Sequence, residues 1–310
     1  MTARRCLITG ATGFVGSHLA RKLVQDGWHV HVLARTSSSV AAIADVAEQL
    51  TIHTLTPPAN GNSLPTTGSV AEAIANAKPD VIFHLAAMFR AEHTPDDIAP
   101  MVEANVTFTT QLLDGMRLAG VKTIINTGTS WQHYGGDEHS APYDPVCLYA
   151  ATKQAAEDIL TFYCNAHGFR AITLKLFDTY GPGDTRNKLL NIFKRASTAE
   201  TPIAFSPGAQ QIDLVHIDDV VRAYLMAADQ AQRSSASTHE KYGVSSGTPL
   251  PLRKLSALYE NTTGTRLNIA WGERPYRERE VMQTPSLPLL PGWSAEICLK
   301  TSLRAITKCK

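Results

Sequence analysis

The sequence predicts an α/β fold: a doubly wound parallel sheet with a smaller C-terminal substrate-binding domain. Two observations carry this. Apolar runs of strand length at residues 5–9, 29–34, 51–55, 81–87, 123–127 and 171–177 alternate with amphipathic segments of helical period. Such alternation places each strand between helices, with both faces buried. Directly after the first run, three glycines recur in the stretch TGATGFVGSHL at residues 9–19, where a strand turns sharply into a helix.

With 310 residues, 44% hydrophobic and 18% charged, the chain can bury the core of one large α/β unit or of two coupled domains. Lysine plus arginine number 29 against 28 acidic residues, for a formal charge of +1. That balance gives no overall field for nucleic acid or an anionic membrane, so an anionic ligand has to be held by local chemistry. The apolar run near the N-terminus is too short and wrongly flanked for a signal peptide, and no segment reaches membrane-spanning length. Five cysteines, Cys6, Cys147, Cys164, Cys298 and Cys309, are odd in number and lack metal-ligand spacing. Reduced thiols, a cytoplasmic protein and no metal site are expected.

The organisation follows from where the strand–helix rhythm holds. Residues 1–177, joined by a return at about 213–228, form the dinucleotide-binding domain. Residues 178–212 and 229–310, irregular and richer in proline and glycine, form the substrate domain. Residues 57–68 read as a loop, and no internal repeat is evident.

The glycine stretch defines the first site. Gly10 permits the tight turn, Gly13 lets backbone N–H groups approach a pyrophosphate, and Gly16 allows close helix–strand packing, as in a Rossmann-type fold. The phosphates then sit at the positive end of the helix. About 20 residues further on, a site for NAD wants an acidic residue to bond the ribose 2′-hydroxyl. Here the second strand ends in Ala34, Arg35, Thr36 and Ser37. The Arg35 guanidinium can pair with a 2′-phosphate and the neighbouring hydroxyls can add donors, so NADP(H) is the expected cofactor.

Tyr149 and Lys153 stand four residues apart, one strand–helix unit after a strand that ends in Thr127, Gly128, Thr129 and Ser130. That spacing puts phenol and ammonium on one helix face. A nearby cation is expected to lower the tyrosine pKa toward the working pH of a general acid–base.

Taken together, residues 9–19, His84-Leu85-Ala86-Ala87, Asn105, Ser130, Tyr149 with Lys153, Tyr180-Gly181-Pro182-Gly183 and the VHIDDV run at 215–220 resemble the extended short-chain dehydrogenase/reductases, the NAD-dependent epimerase/dehydratase family of sugar-nucleotide enzymes. The match runs from residue 5 to about 228. The resemblance implies Ser130, Tyr149 and Lys153 as the catalytic set. It also implies a cofactor site of Gly10, Thr12, Gly13, Phe14, Val15, Gly16, Arg35, Ser37, Leu85, Ala86, Ala87, Asn105, Tyr149, Lys153 and Phe177. A homodimer is expected by resemblance alone.

The departures from the family pattern narrow the reaction. Dehydratases carry an Asp-Glu pair directly after the catalytic hydroxyl residue, and here Trp131 and Gln132 stand there. Neither titrates, so 4,6-dehydration is disfavoured. Epimerases usually retain NAD, with an acid where this chain has Arg35. Asp178 replaces the usual asparagine, and 211–213 lacks the arginine with which many relatives bind the substrate diphosphate. Arg186, Lys188 and, in the charge run at 273–280, Arg274, Arg277 and Arg279 are the cations available, with Arg274 the expected diphosphate ligand. Ser130, Trp131, Gln132 and Asp178 complete the expected substrate site. The pattern from Asp178 to Arg186 and the late Leu290-Pro291-Gly292-Trp293 resembles reductases that make 6-deoxy and 3,6-dideoxy sugars from nucleotide-4-keto sugars, abequose synthases among them. The expected activity is NADPH-dependent reduction of the C4 keto group of a nucleotide-4-keto-6-deoxyhexose. The alternatives are a nucleotide-sugar epimerase and a non-catalytic NADP-sensing regulator. Cys147 and His133 stand close enough in sequence to be considered as extra bases.

Overall fold

Seven parallel strands form the central sheet of the computed structural model, which describes residues 3–56, 65–135 and 142–308. In chain order they are β1 (Arg5–Thr9), β2 (His29–Arg35), β3 (Leu50–Leu55), β4 (Val81–His84), β5 (Thr123–Thr129) and β6 (Arg170–Leu176), with β11 (His239–Val244) at one edge. Across the sheet they run β11-β6-β5-β4-β1-β2-β3. The strand order reverses between β1 and β4, and an open α/β sheet binds its ligands outside the carboxyl ends of the strands at such a point.

Alternation along each strand explains the two helical layers. Cys6 and Ile8 of β1, Val30 and Val32 of β2 and Phe83 of β4 pack with Leu19, Ala20 and Leu23 of α1 (Phe14–Gln25). The same cluster takes in Val220, Tyr224 and Ala227 of α7 (Ile217–Arg233). Leu7, Leu33, Ile82 and Ile124 point the other way. They meet Ile74 of α2 (Thr67–Ala77), Leu112 and Met116 of α4 (Phe108–Ala119) and Leu160 and Cys164 of α5 (Leu148–His167). Between α2 and α4 the chain runs through α3 (Pro95–Val102) and a single wide turn at Glu103–Thr107.

A third apolar cluster lies apart from the sheet, built on Tyr180, Phe193, Phe205, Leu252, Leu255 and Tyr259. It gathers β7 (Asp178–Tyr180), α6 (Leu189–Ala196), β8 (Ile203–Phe205), β9 (Gln211–Ile212), β10 (Leu214–His216), β12 (Leu250–Pro251), α8 (Leu252–Thr263), β13 (Ile269–Trp271) and α9 (Leu299–Lys308). The short strands pair as β7 with β10, β8 with β13 and β9 with β12.

Three expectations are corrected. Residues 239–244, assigned above to the substrate domain, are the seventh strand of the main sheet and pair in register with β6. Leu290 and Trp293 likewise join the sheet core, with the Trp293 indole N–H donating to the Asp219 carbonyl at 3.0 Å. The run at 81–87 is strand only to His84. Leu85 and Ala86 turn over the first glycine, their N–H groups donating to the carbonyl and hydroxyl oxygens of Thr9 at 3.1 and 3.2 Å. Of the expected loop at 57–68, residues 57–64 lie outside the described ones, as does Cys309, and Thr67 already opens α2.

Among the described residues Cys6, Cys147, Cys164 and Cys298 are free thiols. No group of three or more potential metal ligands occurs there, and no helix is long and apolar enough to cross a membrane.

Candidate active site

An open cleft of about 260 Å³ lies at the carboxyl ends of β1, β4 and β5. Its floor is the glycine turn. Gly10 has φ +74°, and a Cβ there would fall 2.6 Å from the Ala86 nitrogen, while one at Gly16 would fall 2.1 Å from the Gly10 carbonyl oxygen. Only glycine fits at either position. Gly13 caps α1 with its backbone exposed, so the positive end of a 12-residue helix opens on the cleft. The turn thus fits a dinucleotide pyrophosphate. At the end of β2, Arg35 is exposed and forms no ion pair among the described residues, with Ser37 exposed beside it.

His84, Thr9, Thr109 and Asn105 brace this floor. The fully buried His84 ring bonds Thr9 Oγ1 at 2.7 Å and Thr109 Oγ1 at 2.9 Å. Burial, and then the Lys153 charge, bring its pKa down to about 3, so the ring is neutral. Asn105 does not reach the cleft. Its side chain accepts from the Met88 N–H at 2.7 Å and donates to the Met88 carbonyl and Thr152 Oγ1, both at 3.0 Å. It ties the loop after β4 to the helix that carries the tyrosine.

One wall of the cleft is made by the end of β5 and the start of α5. Ser130, first residue of a short turn after β5, lines the cleft, as does Tyr149 in the first turn of α5. Burial raises the Tyr149 pKa, with Cys147 adding to the rise. The expectation that a cation would lower it is therefore overturned: the phenol keeps its proton, which suits a proton donor. Lys153, only 1% exposed, is pushed down to about 8 by burial, while the Glu157 carboxylate pulls it up.

A stability prediction follows from that lysine. Unfolded, it holds its proton to about pH 10.5, but folded only to about 8, so folding is penalised fully below pH 8 and progressively less up to 10.5. Lys153→Met should raise the stability of the free protein at pH 7 by up to about 3 kcal/mol. The gain should fade between pH 8 and 10.5. Thermal melts giving the same gain at both ends of that window would contradict the buried charge.

Phe89, which the sequence did not single out, extends the wall of β5 and α5 and also lines the cleft. Its ring meets Tyr149 edge-on at 4.9 Å and Trp131 at 5.7 Å. Lys188 Nζ sits over Phe89 at 4.4 Å and 3.7 Å from Asp178, and both line the cleft. Arg186 stacks over Phe14 at 4.3 Å and donates to Asp184 and Thr179. It brackets the cofactor helix, with much of its charge already paired.

Among the remaining expected residues, Phe14, Val15, Leu85, Ala87 and Phe177 line the cleft; Thr12 and Ala86 do not. Two expected substrate contacts are corrected. Gln132 is fully buried and faces away, because its side chain closes the turn after β5 and bonds α5. Arg274 is 61% exposed and pairs with Glu92 outside the cleft lining. Within the same charge run it is Arg277 that reaches the aromatic wall, 4.9 Å from the Trp131 ring, with Glu280 bonded to it at 2.7 Å. Of the other bases considered, burial pushes the Cys147 thiol up, and His133 is engaged by Lys175 at 2.6 Å and the Pro142 carbonyl at 3.0 Å.

An anion-binding glycine turn and a proton-holding phenol thus open on one cleft at the switch point of the sheet, the arrangement of a dinucleotide-dependent α/β enzyme. The profile of the NAD dependent epimerase/dehydratase family matches residues 6–243, and the chain belongs to this family. It is 31% identical to a UDP-glucose 4-epimerase of Mycolicibacterium smegmatis over 269 residues, 84% of this chain and 83% of the relative. It is 25% identical to a CDP-abequose synthase of Salmonella muenchen over 313 residues, 99% and 98% of the two chains. The crystal structure of a dTDP-glucose 4,6-dehydratase of Streptomyces venezuelae shares the fold with a TM-score of 0.81 at 21% identity, over 98% of this chain and 96% of that one.

Proposed function

We propose that the protein reduces the C4 keto group of a nucleotide-4-keto-6-deoxyhexose with NADPH. The observation that carries this reading is the wall beside Ser130. Where proton removal from the sugar ring would need a titratable pair, the cleft presents Trp131 and Phe89, and Gln132 is turned into the core. The Salmonella relative, similar over nearly the whole chain, supports it. When bound, the dinucleotide supplies a hydride.

The chain's own residues then divide the remaining work. The glycine turn and the α1 N-terminus hold the pyrophosphate, and Arg35 takes the 2′-phosphate. Tyr149 gives its proton to the developing C4 alkoxide, and Ser130 donates a hydrogen bond to the same oxygen. Lys153, charged at neutral pH, holds the nicotinamide ribose and favours the phenolate left after transfer. Lys188 faces the substrate phosphates from across the cleft. Exposed Leu118 on α4 and Phe162 on α5 support pairing of two copies through these helices.

Isotope placement tests the reaction class. Reduction of CDP-4-keto-6-deoxyglucose in deuterated water with 4-deuterated NADPH should give carbon-bound label at C4 alone. Enzyme-dependent solvent deuterium at C3 or C5, seen by NMR of the product, would replace simple ketoreduction by an epimerase-reductase. A 4-epimerase is the second reading, favoured by the 31% identical relative. It predicts no net NADPH oxidation across a panel of CDP-, dTDP-, GDP- and UDP-linked substrates.

A further inference from the structure

We propose that Gln132 and Glu157 are positioning residues: a buried amide–carboxylate contact that holds the Ser130 turn in register with the helix carrying Tyr149 and Lys153. The inference rests on the catalytic reading of those three residues. It starts from a side chain the sequence placed in the substrate site and the fold turns inward.

Gln132 ends the Ser130–Gln132 turn. Its Oε1 accepts the Thr129 N–H at 2.9 Å, so the amide fixes the backbone immediately before Ser130. Its Nε2 donates to Glu157 Oε1 and Gln154 Oε1, both at 2.8 Å, and both acceptors lie on α5 within a turn of Lys153. One amide therefore receives from the serine strand and gives to the tyrosine helix. An ionised carboxylate at 132 could only accept, and a thioether could not donate and accepts only weakly.

Glu157 anchors the contact. It is fully buried, and its Oε2 has no hydrogen bond among the described residues. Its charge is held instead by Lys175 Nζ of β6 at 3.5 Å and Lys241 Nζ of β11 at 3.4 Å. Two strands and the Ser130 turn thus converge on one carboxylate of α5, and a buried charge with several partners stays in one geometry. Gly128 makes the room. A Cβ there would come within 2.9 Å of Gln132 Oε1, Glu157 Oε1 and the Thr173 methyl, so a glycine between the cleft and the network lets the two pack back to back. Side chains behind a site that lock its rotamers and turns govern rate through placement, and a misplacement of about 1 Å can cost about a hundredfold.

The test is a swap. Gln132→Glu sets two carboxylates against each other, whereas Gln132→Glu combined with Glu157→Gln restores one donor and one acceptor across the same contact. With CDP-4-keto-6-deoxyglucose and NADPH, Q132E should lose at least about tenfold in kcat with KM and NADPH affinity nearly unchanged, and the double variant should recover most of it. Repulsion from Glu157 should swing the carboxylate introduced at 132 off the Thr129 N–H that Gln132 caps at 2.9 Å, so amide hydrogen exchange at Thr129 should rise in Gln132→Glu and return in the double variant. This readout needs no turnover and stands if Q132E proves less stable. If Tyr149→Phe abolishes turnover yet Q132E keeps kcat within about twofold, the inference is overturned and the catalytic reading stands. If wild type shows no turnover, or Tyr149→Phe keeps it, the catalytic reading fails. Exchange at Thr129 then decides the contact, and unchanged protection in Q132E overturns it.

Discussion

Tyr149→Phe should abolish turnover, by on the order of 10²–10⁴-fold or more, while leaving NADPH binding nearly intact. Burial raises the Tyr149 pKa, so at neutral pH the phenol carries the proton that the developing alkoxide requires, and phenylalanine has none to give. The change is otherwise mild. The ring keeps its edge-on contact with Phe89 at 4.9 Å, and the cofactor contacts expected of the glycine turn, Arg35 and Lys153 are untouched. Steady-state NADPH oxidation and a fluorescence titration of NADPH on the same variant separate the two effects. Turnover close to wild type would remove Tyr149 from the mechanism, and a loss of NADPH affinity matching the loss of rate would make it a cofactor ligand instead.

Arg35→Asp should weaken NADPH far more than NADH. Arg35 stands exposed at the end of β2 with no partner among the described residues, so its guanidinium is free to take a 2′-phosphate. The substitution removes a charge-assisted pair and adds repulsion, together on the order of 2–3 kcal/mol at a solvent-exposed site, or roughly 30- to 150-fold in affinity. NADH has a 2′-hydroxyl there, which an aspartate can accept from, so its affinity should hold or improve. Because the charge is exposed, the NADPH preference of wild type should also shrink as salt rises. Equal losses for both dinucleotides in a binding titration would sink the NADP assignment.

Most of the sheet could be read from the chain because its inner strands are buried on both faces: Cys6–Thr9 of β1, all of β4 and 171–175 of β6 are buried. At one edge β3, LTIHTL, is buried only at Leu55, so the burial expected of that strand does not hold. The edge strand at 239–244 reads HEKYGV and is half-exposed over its first four residues. Without an apolar run it is visible only once β6 is there to pair with it. The glycine turn was legible for a different reason. Gly16 answers to the backbone of Gly10 and Ala11 a few residues away, and Gly10 to that of Leu85 and Ala86 just past the end of β4, where a Cβ would collide.

The candidate site divides along the same line. Ser130, Tyr149 and Lys153 were readable because strand end and helix spacing aim them locally, and Tyr149 and Ser130 do line one cleft. What spacing could not supply was the fate of each polar side chain. Gln132 found Glu157 in the core, Arg274 found Glu92 at the surface, and Arg277, three residues on, took the place at Trp131. The Tyr149 pKa is raised rather than lowered, because burial disfavours the phenolate and Cys147 adds to the rise. The sequence by itself determined the glycine turn, six strands and the spacing of Ser130, Tyr149 and Lys153, since backbone sterics and apolar periodicity act over a few residues. The tertiary structure alone decided the edge strand, the aromatic wall and the burial of the tyrosine. Hydrogen-bond partners, ion pairs and desolvation depend on which distant segments the fold brings within a few ångströms.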